Sequence, residues 1–373
     1  FIGLTSIYWR EAWKYGQRAY RYCMHDAGHA LAAFSMAAAG LGWHARLLDE
    51  PGADELARLL GTSQPHTSEP EAPDLLMACM PAQPADTLPE LPAAALHAFE
   101  SLAWQGQPNQ LSPSHVDWGI EAFAAHVHKP HGARVYEPFA DPPRSWSPPA
   151  RPVALRQMIR QRRSAVAMDG QTRLSREDFY RMLDRTLAVP GAVPFNMLPW
   201  KSQLHLALMV HRVDGIPPGL YLLVRDPAQA AVLEQALTQA DPWHKPPGCP
   251  EQLPLYCLMQ RDTRAAARAI SCQQDIASDG CFSLAMLAEF SEPLERYGAW
   301  FYPRLYWEAG MIGQLLYLEA EAAGIRSTGI GCFLDDSMHE VLGLTDRRFQ
   351  DIYHFTVGGA VDDPRLNTLA PYE

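Results

Sequence analysis

Two histidines four residues apart, with an acidic residue beside the first, stand in the segment HDAGH at 25–29. On a helix this spacing puts both imidazoles on one face, as in zinc hydrolases that use a neighbouring glutamate as general base. Here Asp26 is shorter than that glutamate, and no third ligand is evident downstream. The alternative is a packed helix in which His25 and His29 lie against core residues. An internal repeat favours this alternative.

The segment that contains these histidines recurs 282 positions later without a gap. Ten of the 47 positions from 15 to 61 are identical in the two copies. They include the glycine pairs Gly16/Gly298, Gly28/Gly310, Gly42/Gly324 and Gly61/Gly343. This pattern indicates a tandem duplication. In the second copy Trp307 and Met311 replace the two histidines, so a metal site would lose both ligands there, whereas a packed helix accepts all four side chains.

The repeated element is predicted to be a long helix that is buried on most sides. In the second copy, apolar or small residues at 305, 309, 312, 316, 320 and 323 recur with a period near 3.6. Few charges interrupt either copy. Gly42 and Gly324 follow the last periodic residues, where a left-handed C-cap is favoured. We expect the two helices to pack against each other in an intramolecular pseudo-dimer.

The composition excludes several classes of protein. The 373 residues are 47% hydrophobic and 20% charged, and the formal net charge is −11. An acidic chain without a basic stripe is not expected to bind nucleic acid. No run approaches the ~18 apolar residues that a membrane span requires. Seven cysteines without a CxxC spacing are typical of reduced thiols in the cytoplasm. These totals predict a globular cytoplasmic protein large enough for two domains.

The two copies differ in completeness. The second has an arginine-rich start and an amphipathic helix, with Ser175 as the expected N-cap and Asp178 in the first turn. Strand patterns follow at 204–213, 219–225 and 252–260, and the last strands are expected in STGIGCF and DIYHFTVGG. The first copy is expected to lack this front half in this sequence, because the counterpart of Arg162 would precede residue 1.

Three parts are therefore predicted. Residues 1–82 would be the C-terminal half of the first repeat, and 151–373 would be a complete α+β domain. Between them, 83–150 would be a proline-rich linker or wrapping segment with a helix at 114–128. Residues 62–150 hold 15 of the 32 prolines, which supports a linker here.

Four patches, in this order, resemble the nitroreductase-type flavoproteins. They are RRS at 162–164, NMLPW at 196–200, EAGMIGQLLYLEAEAAGI at 308–325, and TGIGCF at 328–333 with VGG…DPR near the end. The chain is most similar to the thiazoline/oxazoline dehydrogenase branch of peptide-modifying systems, the SagB/ThcOx type. The resemblance covers 151–373 fully and 1–82 as a half copy. It implies a mostly antiparallel central sheet flanked by helices, and FMN bound between two subunits, here two repeats.

The resemblance assigns seven residues to the cofactor: Arg162, Arg163, Ser164, Gly329, Ile330, Gly331 and Arg365. The arginines and the serine would supply guanidinium and hydroxyl donors to the FMN phosphate. The segment with the two glycines would allow close approach of the flavin ring. The alternatives are a solvated helix turn for the arginines and a tight strand end for the glycines.

The first copy is expected to have lost its own flavin site. Leu47 and Asp49 stand where the second copy has Gly329 and Gly331, and their side chains would block a flavin. We therefore expect at most one FMN per chain.

Lys14 and Tyr15 are the candidate catalytic residues. In the azoline dehydrogenase branch, a Lys-Tyr pair ahead of the long helix is associated with proton removal from the heterocycle. The second copy has Arg296 and Tyr297 at these positions. A buried lysine can lose its proton and an arginine effectively cannot, so only Lys14 could act as a base. The alternative is that Lys14 is a surface residue at a helix end and Tyr15 belongs to the core.

The leading functional hypothesis is an FMN-dependent oxidoreductase that passes a hydride between an organic substrate and the flavin. Oxidation of a thiazoline or oxazoline ring in a small molecule or modified peptide fits this class, as does NAD(P)H-dependent reduction of nitro or quinone compounds. A non-catalytic flavin-fold scaffold that binds a partner or peptide stays open because the first copy is incomplete. No metal is expected, and whole chains could dimerise further.

Overall fold

The computed structural model describes residues 1–63, 69–81, 93–100, 102–103, 105, 109–135, 137, 152–189, 191–365, 367 and 369. The α-helices in these ranges are α1 (Trp9–Tyr15), α2 (Ala19–Gly40), α3 (Ala53–Leu59), α4 (Ala93–Glu100), α5 (Ile120–His126), α6 (Leu155–Gln161), α7 (Arg176–Arg185), α8 (Ala230–Ala236), α9 (Arg264–Ile270), α10 (Ile276–Asp279), α11 (Ser291–Tyr297), α12 (Tyr302–Ala322) and α13 (Asp335–Leu342). The strands are β1 (Ile2–Ser6), β2 (His44–Leu47), β3 (Ala72–Met80), β4 (Leu204–Val210), β5 (Gly219–Leu223), β6 (Leu255–Gln260), β7 (Phe282–Glu289), β8 (Arg326–Ile330) and β9 (Phe349–Gly358).

The chain forms two compact units, each built from three segments. The first unit comprises Phe1–Pro142, Val189–Lys201 and Glu292–Met311, and the second comprises Pro143–Ala188, Ser202–Ser291 and Ile312–Glu373. The sequence-based division into 1–82, 83–150 and 151–373 describes repeats and a linker, not compact units. It stays a prediction. Much of the predicted linker lies outside the described residues, but its expected helix is present as the shorter α5.

The second unit is built on a six-stranded antiparallel sheet with the order β6-β5-β4-β7-β9-β8. Every residue of the central strands β4 and β7 is buried, as expected for strands covered on both faces. The N-cap of α7 is also as predicted, since the Ser175 hydroxyl accepts the Asp178 N–H at 3.1 Å. The expected α+β fold, with a mostly antiparallel sheet flanked by helices, is confirmed.

Strand β7 was not predicted from the sequence. Its residues FSLAMLAE include several good helix formers, and because all of them are buried they lack the polar/apolar alternation that marks a half-exposed strand. A fully buried strand of this composition cannot be distinguished from a buried helix by periodicity alone.

The first unit contains a three-stranded antiparallel sheet with the order β1-β3-β2. Helix α2 contacts both β2 and β3. It ends before Gly42, whose φ of +75° gives the left-handed conformation that the sequence predicts; Gly324 after α12 has a φ of +74°. Among the described residues, no helix combines the length and the apolar character needed to cross a membrane.

A helix crossing inside the first unit explains two of the repeated glycines. Gly28 of α2 lies against the backbone of Trp307, and Gly310 of α12 lies against the backbone of His25 and Gly28. A Cβ at either glycine would overlap a carbonyl oxygen of the opposite helix. The backbones can therefore meet only because both positions lack a side chain.

The strand register of the first sheet has a counterpart in β7, β9 and β8. Ile2 of β1 pairs with Met77 of β3, and Leu284, which is 282 positions after Ile2, pairs with Phe355 of β9. Each ladder shifts its register at the matching place, between Leu4/Thr5 and between Met286/Leu287. Helices α3 and α13 also begin 282 positions apart. The last strands, β3 and β9, are only 278 positions apart in register, so an ungapped sequence match ends before them.

Candidate functional site

The segment 162–164 lies along an edge strand of the six-stranded sheet. Ser164 forms a parallel bridge with Ser327 of β8, and the Ala165 N–H donates to the Ser327 carbonyl oxygen at 3.1 Å. Since β8 has a full strand, β9, on only one side, its other edge can accept this pairing. The pairing places the predicted phosphate-binding residues beside the strand that carries Gly329.

Tyr317 of α12 joins the two predicted cofactor patches. Its hydroxyl lies 2.9 Å from the Ser164 Oγ and accepts the Gly329 N–H at 3.1 Å. The guanidinium of Arg162 lies 4.8 Å from the centre of the Tyr317 ring, a cation–π contact. Sequence reasoning did not single out Tyr317, although a tyrosine hydroxyl on a largely apolar helix requires a partner and could have indicated one.

Two of the predicted phosphate ligands have local partners instead. The Arg163 guanidinium donates to the carbonyl oxygens of Arg160 (3.0 Å) and Arg162 (2.8 Å). The Arg365 guanidinium forms a forked pair with Asp363 at 2.9 and 2.6 Å, and its side chain is 87% exposed. The structure thus brings Arg162, Ser164 and Gly329 together, and a phosphate role for Arg163 and Arg365 stays a prediction.

The end of β8 is closely packed. A Cβ on Gly329 would overlap the Tyr353 hydroxyl, so a larger residue there would require the Tyr353 side chain to move. Ile330 is buried in the core cluster of the second unit, and Gly331 is partly exposed. The guanidinium and hydroxyl donors of Arg162 and Ser164 suit a phosphate group, and the local chemistry therefore fits the phosphate end of a nucleotide cofactor such as FMN.

Lys14 and Tyr15 end helix α1 in the first unit. Lys14 is exposed, and its Nζ lies 5.1 Å from the centre of the Tyr15 ring. Tyr15 is 38% exposed and meets Tyr22 edge-on, with ring centres 4.7 Å apart. Both side chains are exposed, and the catalytic role of the pair stays a prediction.

The histidine pair belongs to the helix crossing. His25 is buried, and its ring centre lies 5.1 Å from that of Tyr306. In the part of the chain that the structure describes, no three His, Cys, Asp or Glu side chains are grouped to hold a metal ion. The packed-helix interpretation accounts for His25 through these contacts.

A model of the nitroreductase family matches residues 159–359, more than half of the chain. The chain belongs to the nitroreductase family. The matched range includes Arg162, Ser164, Tyr317 and Gly329, whereas the Lys14-Tyr15 pair lies outside it. Membership in the nitroreductase family indicates an oxidoreductase with redox chemistry of the flavin type.

One solved structure shares the fold of this chain, and two further similarities are weaker. A nitroreductase candidate from Anabaena variabilis is 19% identical, with a TM-score of 0.66 over 96% of this chain and 69% of its own. Nitroreductase A from Vibrio parahaemolyticus is 15% identical, with a TM-score of 0.34 over 58% and 70% of the two chains. The Escherichia coli microcin synthetase McbBCD complex with truncated pro-MccB17 bound contains a chain that is 16% identical, with a TM-score of 0.40 over 74% and 85%. A comparison with curated proteins found no match.

The first unit also contains a cavity of about 300 Å³. Aromatic and charged side chains line it, including Tyr8, Tyr20, Asp49, Asp74, Lys129 and Arg304. No signal in the sequence connected these residues, because they come from elements far apart along the chain.

Asp49 carries the main ion pair at this cavity. It is 8% exposed, accepts a hydrogen bond from the Arg304 guanidinium, and lies 3.8 Å from the Lys129 ammonium. Burial lowers the pKa of Lys129 to about 8; the Asp49 carboxylate opposes this shift and the Arg304 charge adds to it. Asp49, at the position that aligns with Gly331, is thus one half of a buried ion pair.

One carboxyl oxygen of Asp74, in strand β3, accepts no hydrogen bond from the described residues. Its Oδ2 accepts a 2.6 Å hydrogen bond from the Ser6 hydroxyl, while its Oδ1 is closed to solvent and has no partner among the described residues. Burial raises the pKa of Asp74 to about 7; the Ser6 hydrogen bond opposes the shift and Glu71 adds to it.

Asp74→Asn is expected to remove a pH dependence of stability. An unfolded aspartate titrates near pH 4, so between about pH 4 and pH 7 the native protein holds one more proton than the unfolded chain. The contribution of Asp74 to the free energy of unfolding therefore falls as the pH rises from about 4 to about 7. At pH 8 the variant should gain roughly 2–4 kcal/mol in free energy of unfolding, and at pH 4 little.

Urea unfolding of both proteins from pH 4 to pH 8 measures this difference. Asp241→Asn, which makes the same change at an exposed aspartate, is the matched control. Parallel pH profiles for wild type and Asp74→Asn would show that the pKa of Asp74 is the same in the native and unfolded states, which would contradict the prediction.

Proposed function

We propose that the protein is an FMN-dependent oxidoreductase whose cofactor phosphate is bound by Arg162 and Ser164. The observation that carries the proposal is the Tyr317 hydroxyl, which contacts both the Ser164 side chain and the Gly329 backbone. FMN, when bound, would accept or donate the hydride. Arg162 would bind the phosphate through its guanidinium and Ser164 through its hydroxyl. Tyr317 would hold these two groups at a fixed spacing.

Within this class we propose the azoline dehydrogenase branch and a duplicated chain. The shared strand order, the matching register shifts and the paired crossing glycines support a duplication. We propose one FMN per chain, because Asp49 is committed to Arg304 at the position that aligns with Gly331. Lys14 and Tyr15 are proposed as the residues that move a proton from the heterocycle of a small-molecule or modified-peptide substrate.

The proposal predicts that purified protein carries about one FMN per chain, which absorbance measures directly. Arg162→Ala should weaken FMN binding by about 10- to 100-fold, because a charged donor to the phosphate is lost. Tyr317→Phe should weaken it by about 3- to 10-fold, because the hydroxyl no longer fixes Ser164 and Gly329.

Tyr180→Phe is the matched control, since it removes a hydroxyl that donates to the Pro247 carbonyl oxygen elsewhere in the second unit. It should bind FMN as wild type does. Wild-type protein that takes up no added FMN would overturn the proposed function and favour the scaffold hypothesis.

Lys14→Ala separates the proposed proton transfer from cofactor binding. We expect unchanged FMN content with turnover reduced by at least about 100-fold on an azoline substrate. Equal turnover would remove Lys14 from the mechanism. Activity confined to NAD(P)H with nitro or quinone compounds would place the protein in that alternative class.

A further inference from the structure

Two cysteines far apart in sequence face each other at the surface of the second unit. Cys272 follows α9, and Cys332 follows Gly331 just after β8. Their Sγ atoms are 2.7 Å apart. Cys332 is exposed and Cys272 is partly exposed, so dissolved oxidants can reach them.

The two segments are fixed to each other by hydrogen bonds that do not involve sulfur. The Leu334 N–H donates to the Ile270 carbonyl oxygen at 2.8 Å, and the Gln274 side-chain amide donates to the Cys332 carbonyl oxygen at 3.1 Å. The same amide donates to the Ser271 carbonyl oxygen at 2.8 Å. The proximity of the thiols therefore follows from how the backbone is held.

The backbone at Cys272 is unusual. Cys272 and Gln273 have φ angles of +54° and +62°, and among the described residues no others except glycines have a positive φ. This region strongly favours glycine, because a Cβ is crowded there. A glycine would suit the turn and would remove the side chain that meets Cys332.

We propose that Cys272 and Cys332 form a reversible disulfide when the protein meets a hydroperoxide. The exposed Cys332 thiolate attacks one peroxide oxygen, which gives a sulfenic acid and releases water or an alcohol. The Cys272 thiolate then attacks that sulfur, the S–S bond forms, and the hydroxyl leaves as water after protonation. The two thiols lose two electrons and two protons in total, and the peroxide O–O bond receives the electrons.

The disulfide would tie the segment after β8 to the turn after α9. It would close a loop from 272 to 332 in the unfolded chain, and we expect the melting temperature to rise by about 5 °C. The inference does not depend on the proposed FMN site, because its measurements need neither cofactor nor substrate.

The experiment treats the whole protein with a small excess of hydrogen peroxide and measures the intact mass, and it then alkylates the remaining thiols for digestion. A loss of about 2 Da, reversed by dithiothreitol, is expected. Trypsin should yield a linked pair of peptides, 269–296 and 327–347. Cys281 lies in the first peptide, so fragmentation must assign the bridge to Cys272.

Three serine variants complete the test. Cys272→Ser should accumulate a sulfenic acid at Cys332 that dimedone traps, and Cys332→Ser should form no bridge. Cys249→Ser, at another partly exposed cysteine, should form the bridge as wild type does. Thiols that stay reduced in wild type, a sulfinic acid at Cys332 without a bridge, or a bridge to Cys281 would each overturn the proposal, and none of these results requires a variant to fold.

Discussion

Gly310→Ala is expected to lower the free energy of unfolding by about 3–5 kcal/mol or to prevent folding. The added methyl group would overlap the His25 carbonyl oxygen, and it would lie 2.8 Å from the His29 nitrogen and 2.9 Å from the Gly28 Cα. All three are backbone atoms, which cannot rotate away as a side chain can. The helices would have to separate and lose the contacts along the crossing. Gly28→Ala should behave similarly, because its methyl group would meet the Trp307 backbone.

Gly40→Ala is the control, because it makes the same change at an exposed position at the end of α2, the helix that contains Gly28. It should raise stability by up to about 1 kcal/mol, since alanine favours a helix over glycine. Urea unfolding followed by circular dichroism, together with the yield of soluble protein, measures all three variants. If Gly310→Ala proved as stable as Gly40→Ala, the helices would not cross at this point.

Arg304→Met is expected to destabilise the protein by about 3–5 kcal/mol. The substitution leaves the buried Asp49 carboxylate without its guanidinium partner and removes a donor to the Trp300 carbonyl oxygen at 2.8 Å. It also removes a cation that lies 4.3, 5.1 and 5.8 Å from the ring centres of Trp300, Trp307 and Trp200.

A double-mutant cycle isolates the pair. Arg304→Met with Asp49→Asn should lose less stability than the two single variants together, with a coupling energy of about 1–3 kcal/mol. Arg296→Met is the surface control, because its ion pair with Glu137 leaves the arginine side chain 54% exposed, and its cost should stay below about 1 kcal/mol. Additive losses in the cycle would mean that Asp49 does not depend on Arg304.

The sequence contained enough to predict the fold class, the long helices and part of the candidate site. Repetition indicated that the two long helices pack against each other, but it did not indicate that they cross at Gly28 and Gly310. The order of short patches indicated Arg162, Ser164 and Gly329. Tyr317 was not found, because its role depends on which strand lies beside the helix, and a single tyrosine does not specify that.

Contacts between residues far apart along the chain also could not be predicted from the sequence. Asp49 and Arg304 are 255 residues apart, and Cys272 and Cys332 are 60 apart. Neither separation along the chain indicates a contact, because the fold alone brings these side chains together. Asp49 was noted only as an obstacle to a flavin; the structure shows that it is also one half of a buried ion pair.

The glycines at the helix crossing restrict how this chain can evolve. Most packing errors can be offset when the opposing residue becomes smaller, but each of these positions faces main chain, and no amino acid is smaller than glycine. A substitution at either glycine therefore cannot be compensated by a smaller side chain on the opposite helix. Sequence differences between the two matching segments are therefore expected around the contact, as where Trp307 and Met311 stand at the positions of His25 and His29, and not at Gly28 and Gly310.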